Sequence, residues 1–150
     1  MNVMNFFASD PARYEGVRPV HIWGMRLFYL LMAVYVAPVA WEELLTHTGP
    51  WDPLEAVVWT VWATYPTLAV LGLLQPLRWL PILLFTVGYK GLWLALVAWP
   101  LWRAGTLADS PAMGLTEAFM PLSVLVLVIP WGYVLRTYLL WPRSVPAQSL

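Results

Sequence analysis

Apolar residues in this chain fall into four long runs, and polar residues gather in the gaps between them. The runs cover about 24–45, 53–74, 78–102 and 115–141. Each reaches the ~20 mostly apolar residues that cross a bilayer as a helix. The pattern predicts an all-α membrane protein, a four-transmembrane-helix bundle over 23–142, with an N-terminal arm over 1–22 and a C-terminal tail over 143–150. The gaps carry helix punctuation. Asp52-Pro53-Leu54-Glu55 sets a cap residue, a proline at the first helical position and a glutamate at the third, the order of a capping box. Ser110-Pro111 repeats the cap-then-proline signal before the fourth run, with room for a short interfacial helix. Gln75-Pro76-Leu77-Arg78 predicts a tight hairpin between the second and third spans. No internal repeat or low-complexity stretch interrupts this plan.

Composition explains why the runs are read as spans and not as a buried core. Of 150 residues, 61% are hydrophobic and 11% charged, against about 25% charged in a soluble domain. Such a chain lacks a charged skin, so lipid must solvate most of its surface. Formal net charge is zero, which gives nucleic acid no electrostatic hold, and cysteine is absent, which removes disulfides and thiolate metal sites. Residues 1–22 have no basic start, no continuous apolar core and no small-residue cleavage pattern, so they are expected to form a cytosolic or interfacial arm rather than a cleaved signal. Phe6, Phe7 and Tyr14 suit the headgroup region.

Charge then orients the bundle. With both termini on one side, Arg13, Arg18, Arg26, Arg78, Arg136 and Arg143 share that side and only Arg103 falls on the other. Positive charge stays inside, so both termini are expected to be cytoplasmic. Glu42, Glu43, Asp52, Glu55, Asp109 and Glu117 gather on the opposite face. Indoles favour the two interfaces: Trp23, Trp79 and Trp141 fit the inner boundary, and Trp41, Trp51, Trp99 and Trp102 the outer. Trp62, Trp93 and Trp131 are left near the centre.

Lys90 stands alone in the run Trp79–Trp102. A charge at bilayer depth costs roughly 2.5–3.5 kcal/mol on insertion scales, so it needs compensation. Aligning the span ends brings Lys90 level with Tyr35, Thr64 and Pro130. Pro38, Pro66 and Pro130 free the carbonyls of Val34, Trp62 and Val126, and free carbonyls in lipid need donors. Lys90 is therefore expected to point inward and donate to these carbonyls, to Thr64 or Tyr65, or to a trapped water. Glu42 is a second candidate partner. Only fifteen uncharged residues separate it from Arg26, about 22 Å of helix, short of a ~30 Å core. It also shares the face of Tyr35 and Pro38. A stripe of small residues on the second span, Ala56, Thr60, Ala63, Thr64 and Thr67, is expected to face Thr86 and Lys90 on the third.

Two readings of Lys90 stay open: an ion, proton or anion site, or a polar staple that fixes helix register. The deep aromatics Trp62, Tyr89, Trp93 and Trp131 are either core filling or a pocket for a quinone, pigment or lipid. His21 and His47 lie at opposite faces, so they do not form an inward axial pair for haem. Asp52 and Glu55 read as a cap rather than a metal site. No phosphate loop, HExxH or GxSxG occurs, and an enzyme is not expected. No metal or resident cofactor is implied.

LPILLFTVGYKGLWLALVAWPLWRAG (80–105) and IPWGYVLRTYLL (129–140) resemble a group of small four-span bacterial inner-membrane proteins with no assigned activity. In size and span count the chain is also similar to DoxX-type proteins, some of which are linked to terminal oxidases; that likeness is one of architecture. The resemblance implies a bacterial inner membrane. Taken with the residues, it gives three functional expectations. The first is a non-catalytic accessory or structural subunit of a larger inner-membrane complex, in contact with lipids and with other subunits or copies of itself. The second is an oligomeric transporter or channel component using Lys90. The third is a binder of a hydrophobic cofactor.

Overall fold

The computed structural model describes residues 14–140, and all regular structure among them is helical. Helix α1 spans Pro19–Thr46, α2 Pro53–Leu74 and α3 Leu80–Arg103. At 28, 22 and 24 residues, with mean hydropathy 1.6, 1.6 and 1.7, all three are long and apolar enough to cross a membrane. The fourth run forms a bent pair, α4 at Ala112–Val128 and α5 at Trp131–Leu139, meeting at 69°. If the pair is one span, the candidates number four.

The bend divides the run expected as the span over 115–141. Pro130 cannot donate a backbone hydrogen bond, and its ring pushes the preceding residue out of the helical region. Ile129 accordingly sits at φ −63°, ψ 128°. The first helix begins before the expected 24, because Pro19 suits the first turn and Arg18 takes an extended cap conformation. Val17 and Ile22 are buried, so this end of the expected arm packs into the bundle. Phe6, Phe7 and the tail over 143–150 lie outside the described residues.

The start of α2 follows its sequence signal. Asp52 accepts from the backbone N–H groups of Leu54 and Glu55 at 3.0 Å each, with Pro53 at the first helical position. Glu55 does not close the box; its carboxylate accepts from the Trp59 indole at 3.4 Å. Ser110 does not cap α4 either. Its hydroxyl donates to the Leu107 carbonyl at 2.8 Å, and Pro111 takes the cap position.

Helix α1 is the central strut, packed on α2 along one side and on α4 along the other. Two glycines permit the approach. A Cβ on Gly72 of α2 would lie 2.6 Å from the Tyr29 ring, and one on Gly24 would lie 2.7 Å from Val128 of α4. Tyr29 is wholly buried and donates its hydroxyl to the Pro76 carbonyl at 3.0 Å, tying α1 to the hairpin after α2. Met25, Leu80, Leu83, Leu125 and Ile129 complete the core where α1, α3 and α4 meet. The small stripe of α2 divides between neighbours. Ala63 is buried and Thr67 accepts from the Trp41 indole of α1 at 2.9 Å, whereas Thr60 and Thr64 border an open groove with Pro81 and Phe85 of α3.

Candidate functional site

Lys90 projects from α3 one turn beyond Thr86, which is buried and bonded to its own helix through the Ile82 carbonyl at 2.9 Å. The Lys90 Nζ lies 4.5 Å from the centre of the Phe119 ring and 5.9 Å from that of Tyr89. An ammonium over an aromatic face is attracted by the ring quadrupole, by ~0.5–2 kcal/mol depending on desolvation. Phe119 is buried and sits just before the Met120-Pro121 interruption of α4. Trp62, Tyr89 and Trp93 surround it at centroid distances of 6.4, 5.9 and 5.2 Å. Three of the four expected pocket aromatics thus converge, and a fifth ring, absent from the sequence reading, occupies their centre. Pro121, two residues on, is a sequence mark of the interruption there.

Three of the expected oxygen partners of Lys90 are engaged elsewhere. Thr64 donates to the Thr60 carbonyl at 2.7 Å, and Tyr65 and Tyr89 share a hydroxyl–hydroxyl bond of 2.8 Å. The Val126 carbonyl accepts from the Trp131 indole at 2.8 Å. Upstream of Pro38, α1 widens into a π turn over Met32–Val36, with the Ala37 N–H bonded to the Met32 carbonyl. The wider turn eases the clash between the Pro38 ring and the turn before it. Glu42 is exposed, and among the described residues the ion pair is Glu43 with His47, at 3.5 Å. No hydrogen bond or ion pair among the described residues reaches the Lys90 Nζ.

The alignment of depths holds for Tyr35 and fails for Pro130. Tyr35 and Lys90 line one cavity of about 230 Å³, together with Thr86, Met32, Pro121 and Leu122. Its walls are otherwise apolar. Pro130 and Trp131 lie instead beside Arg18 and His21, at the start of α1. The cause is the early start of α4 at Ala112, which brings Val128 level with Gly24 before the bend. Trp131 is therefore half-exposed at the basic end of the bundle and no part of the deep aromatic cluster.

Among the described residues no three His, Asp or Glu side chains converge to hold a metal ion. Comparison with protein-family models, curated proteins and solved structures finds no match for this chain.

Proposed function

We propose that the chain is a four-span protein of a bacterial inner membrane, with both termini cytoplasmic, which acts without catalysis as an accessory subunit of a larger membrane complex. The observation that supports this reading is the outer face of α3. In its most apolar window only 17% of the residues are buried. Phe85, Leu92, Leu96 and Trp99 recur there at helical spacing and are exposed. Gly88 and Ala95 share that exposed face, and a Cβ on Gly88 would meet nothing within 4 Å. Lipid gives apolar surfaces no net drive to associate, but small residues between large ones let a second helix approach closely. Native electrophoresis after extraction in the mildest detergent is the direct test. The expected result is a band well above the protomer that shifts down with Gly88→Leu; a free monomer under every condition overturns the reading.

The cavity at Lys90 supports a second reading. An ammonium with three donors and no acceptor, in a mostly apolar recess beside Tyr35 and Thr86, suits the carbonyl or acidic head of a lipophilic ligand such as a quinone or pigment. Organic extraction of the purified protein should then yield a compound that Lys90→Met loses. If it yields none, while reconstituted liposomes show ion flux that Lys90→Met abolishes, the oligomeric transporter takes its place.

A further inference from the structure

The bend between α4 and α5 is built, not frayed. It frees carbonyls that a continuous helix would satisfy, and two side chains cap them: the Trp131 indole on Val126 at 2.8 Å, and His21 on Val128 at 2.7 Å. A carbonyl only accepts, so His21 carries its proton on Nδ1 toward Val128, and its Nε2 is not used in this bond. The corner borders an open recess of about 480 Å³. Arg18, His21 and Arg136 line it, while Val126, Ile129 and Pro130 supply its apolar floor. Arg136 is held in place by its own helix, with Nε donating to the Gly132 carbonyl at 3.1 Å. That leaves the two Nη groups for another partner, and Nη2 lies 4.0 Å from the Cβ position of Gly16. Among the described residues no carboxylate pairs with Arg18, His21 or Arg136. The nearby Glu15 accepts from the Tyr133 hydroxyl at 3.1 Å.

We infer that this corner holds the phosphodiester headgroup of an anionic glycerophospholipid. The two guanidiniums that line the recess supply planar, forked donors for phosphate oxygens, while His21 holds the corner through its bond to Val128. The apolar floor selects a lipid over free phosphate. It continues onto Leu127 and Val124, which are 78% and 53% exposed, and these offer an acyl chain a track along α4. The arginines are those that the charge pattern assigns to the cytoplasmic side, where anionic lipid headgroups attract basic segments. The inference rests on the chain being a membrane protein and adds a specific lipid site to that reading.

The test is native mass spectrometry of the full chain in neutral detergent, titrated separately with phosphatidylglycerol, phosphatidylcholine and inorganic phosphate. One phosphatidylglycerol should bind per chain, more tightly than phosphatidylcholine. Each of Arg18→Gln and Arg136→Gln should weaken it about fivefold. Arg136→Lys should restore part of the loss, and Arg78→Gln, the same charge change on the same face but outside this cavity, should leave affinity within about twofold. Unchanged circular dichroism in these surface variants excludes misfolding as the cause. Equal losses for Arg78→Gln and Arg136→Gln, equal affinity for the two lipids, or inorganic phosphate binding as well as phosphatidylglycerol would overturn the site. Recovery of the chain in the aqueous fraction without detergent would overturn the membrane reading itself.

Discussion

At the residue scale, Gly72 is where one added methyl should do most harm. Its Cβ would stand 2.6 Å from three atoms of the Tyr29 ring, and that ring is fully buried and anchored to Pro76. Gly72→Ala should therefore destabilise the protein by about 1–3 kcal/mol, the usual cost of overpacking, and lower its melting temperature in detergent. In a Tyr29→Leu background the same change should cost much less; an equal cost in both backgrounds would show that the ring is not the obstacle. Phe119 is the second sensitive position. Phe119→Leu keeps an apolar side chain but removes the ring beneath Lys90 and the edge-on contacts to Tyr89 and Trp93. Ring pairs of this kind contribute ~0.5–1.5 kcal/mol each, so a loss of about 1–3 kcal/mol is expected in the same melting assay. Lys90 was legible in the sequence because it is the sole charge in its run. Phe119 was not, since a phenylalanine in an apolar run announces nothing about which rings it will meet.

At the scale of elements, four prolines are accommodated in different ways, and their cost follows their surroundings. Pro38 and Pro100 each stand six residues after the start of a π turn, Met32–Val36 and Leu94–Ala98. In each the N–H after the turn bonds five residues back, from Ala37 to Met32 and from Trp99 to Leu94. The wider turn relieves the clash between the proline ring and the carbonyl four residues earlier. Pro66 instead lies buried inside α2, and Pro130 stands in the break between α4 and α5. Pro100 is exposed, so Pro100→Ala should restore a backbone donor at little packing cost and leave the melting temperature unchanged or raised. Pro66→Ala trades the same gain against a cavity in a packed interior, and should lower it. If Pro100→Ala proved the more damaging, the π turn would be a required feature and not an accommodation. The same contrast shows what hydropathy reads. The span over 53–74 was found to the residue because Asp52-Pro53 fixes its start and Gln75-Pro76 its end. In the fourth the depths of Pro130 and Trp131 were misplaced, because a bend at Pro130 changes direction without changing apolarity and the early start at Ala112 carries both residues out of the Lys90 neighbourhood.

At the scale of the molecule, the two ends of the bundle differ in charge, and that asymmetry makes the orientation testable. Arg18, Arg26, Arg78 and Arg136 lie toward the end where α1 starts, α2 finishes and α3 begins; Glu42, Glu43, Asp52, Glu55, Asp109 and Glu117 lie toward the other, with Arg103. Positive residues are retained on the cytoplasmic side, so the hairpin after α2 should face the cytoplasm and the loops after α1 and α3 the periplasm. The chain has no cysteine, and any single thiol introduced is therefore a clean reporter. Thr48, Gln75 and Ala108 sit in those three loops and are exposed, so Thr48→Cys, Gln75→Cys and Ala108→Cys should not disturb packing. In intact spheroplasts a membrane-impermeant maleimide should label the variants at 48 and 108 and spare the one at 75; after lysis it should label all three. The inverse pattern would reverse the orientation and with it the cytoplasmic placement of the Arg18–Arg136 corner. Equal labelling of 48 and 75 in intact spheroplasts would mean that α2, for all its length and apolarity, does not cross, and the four-span reading would fall with it.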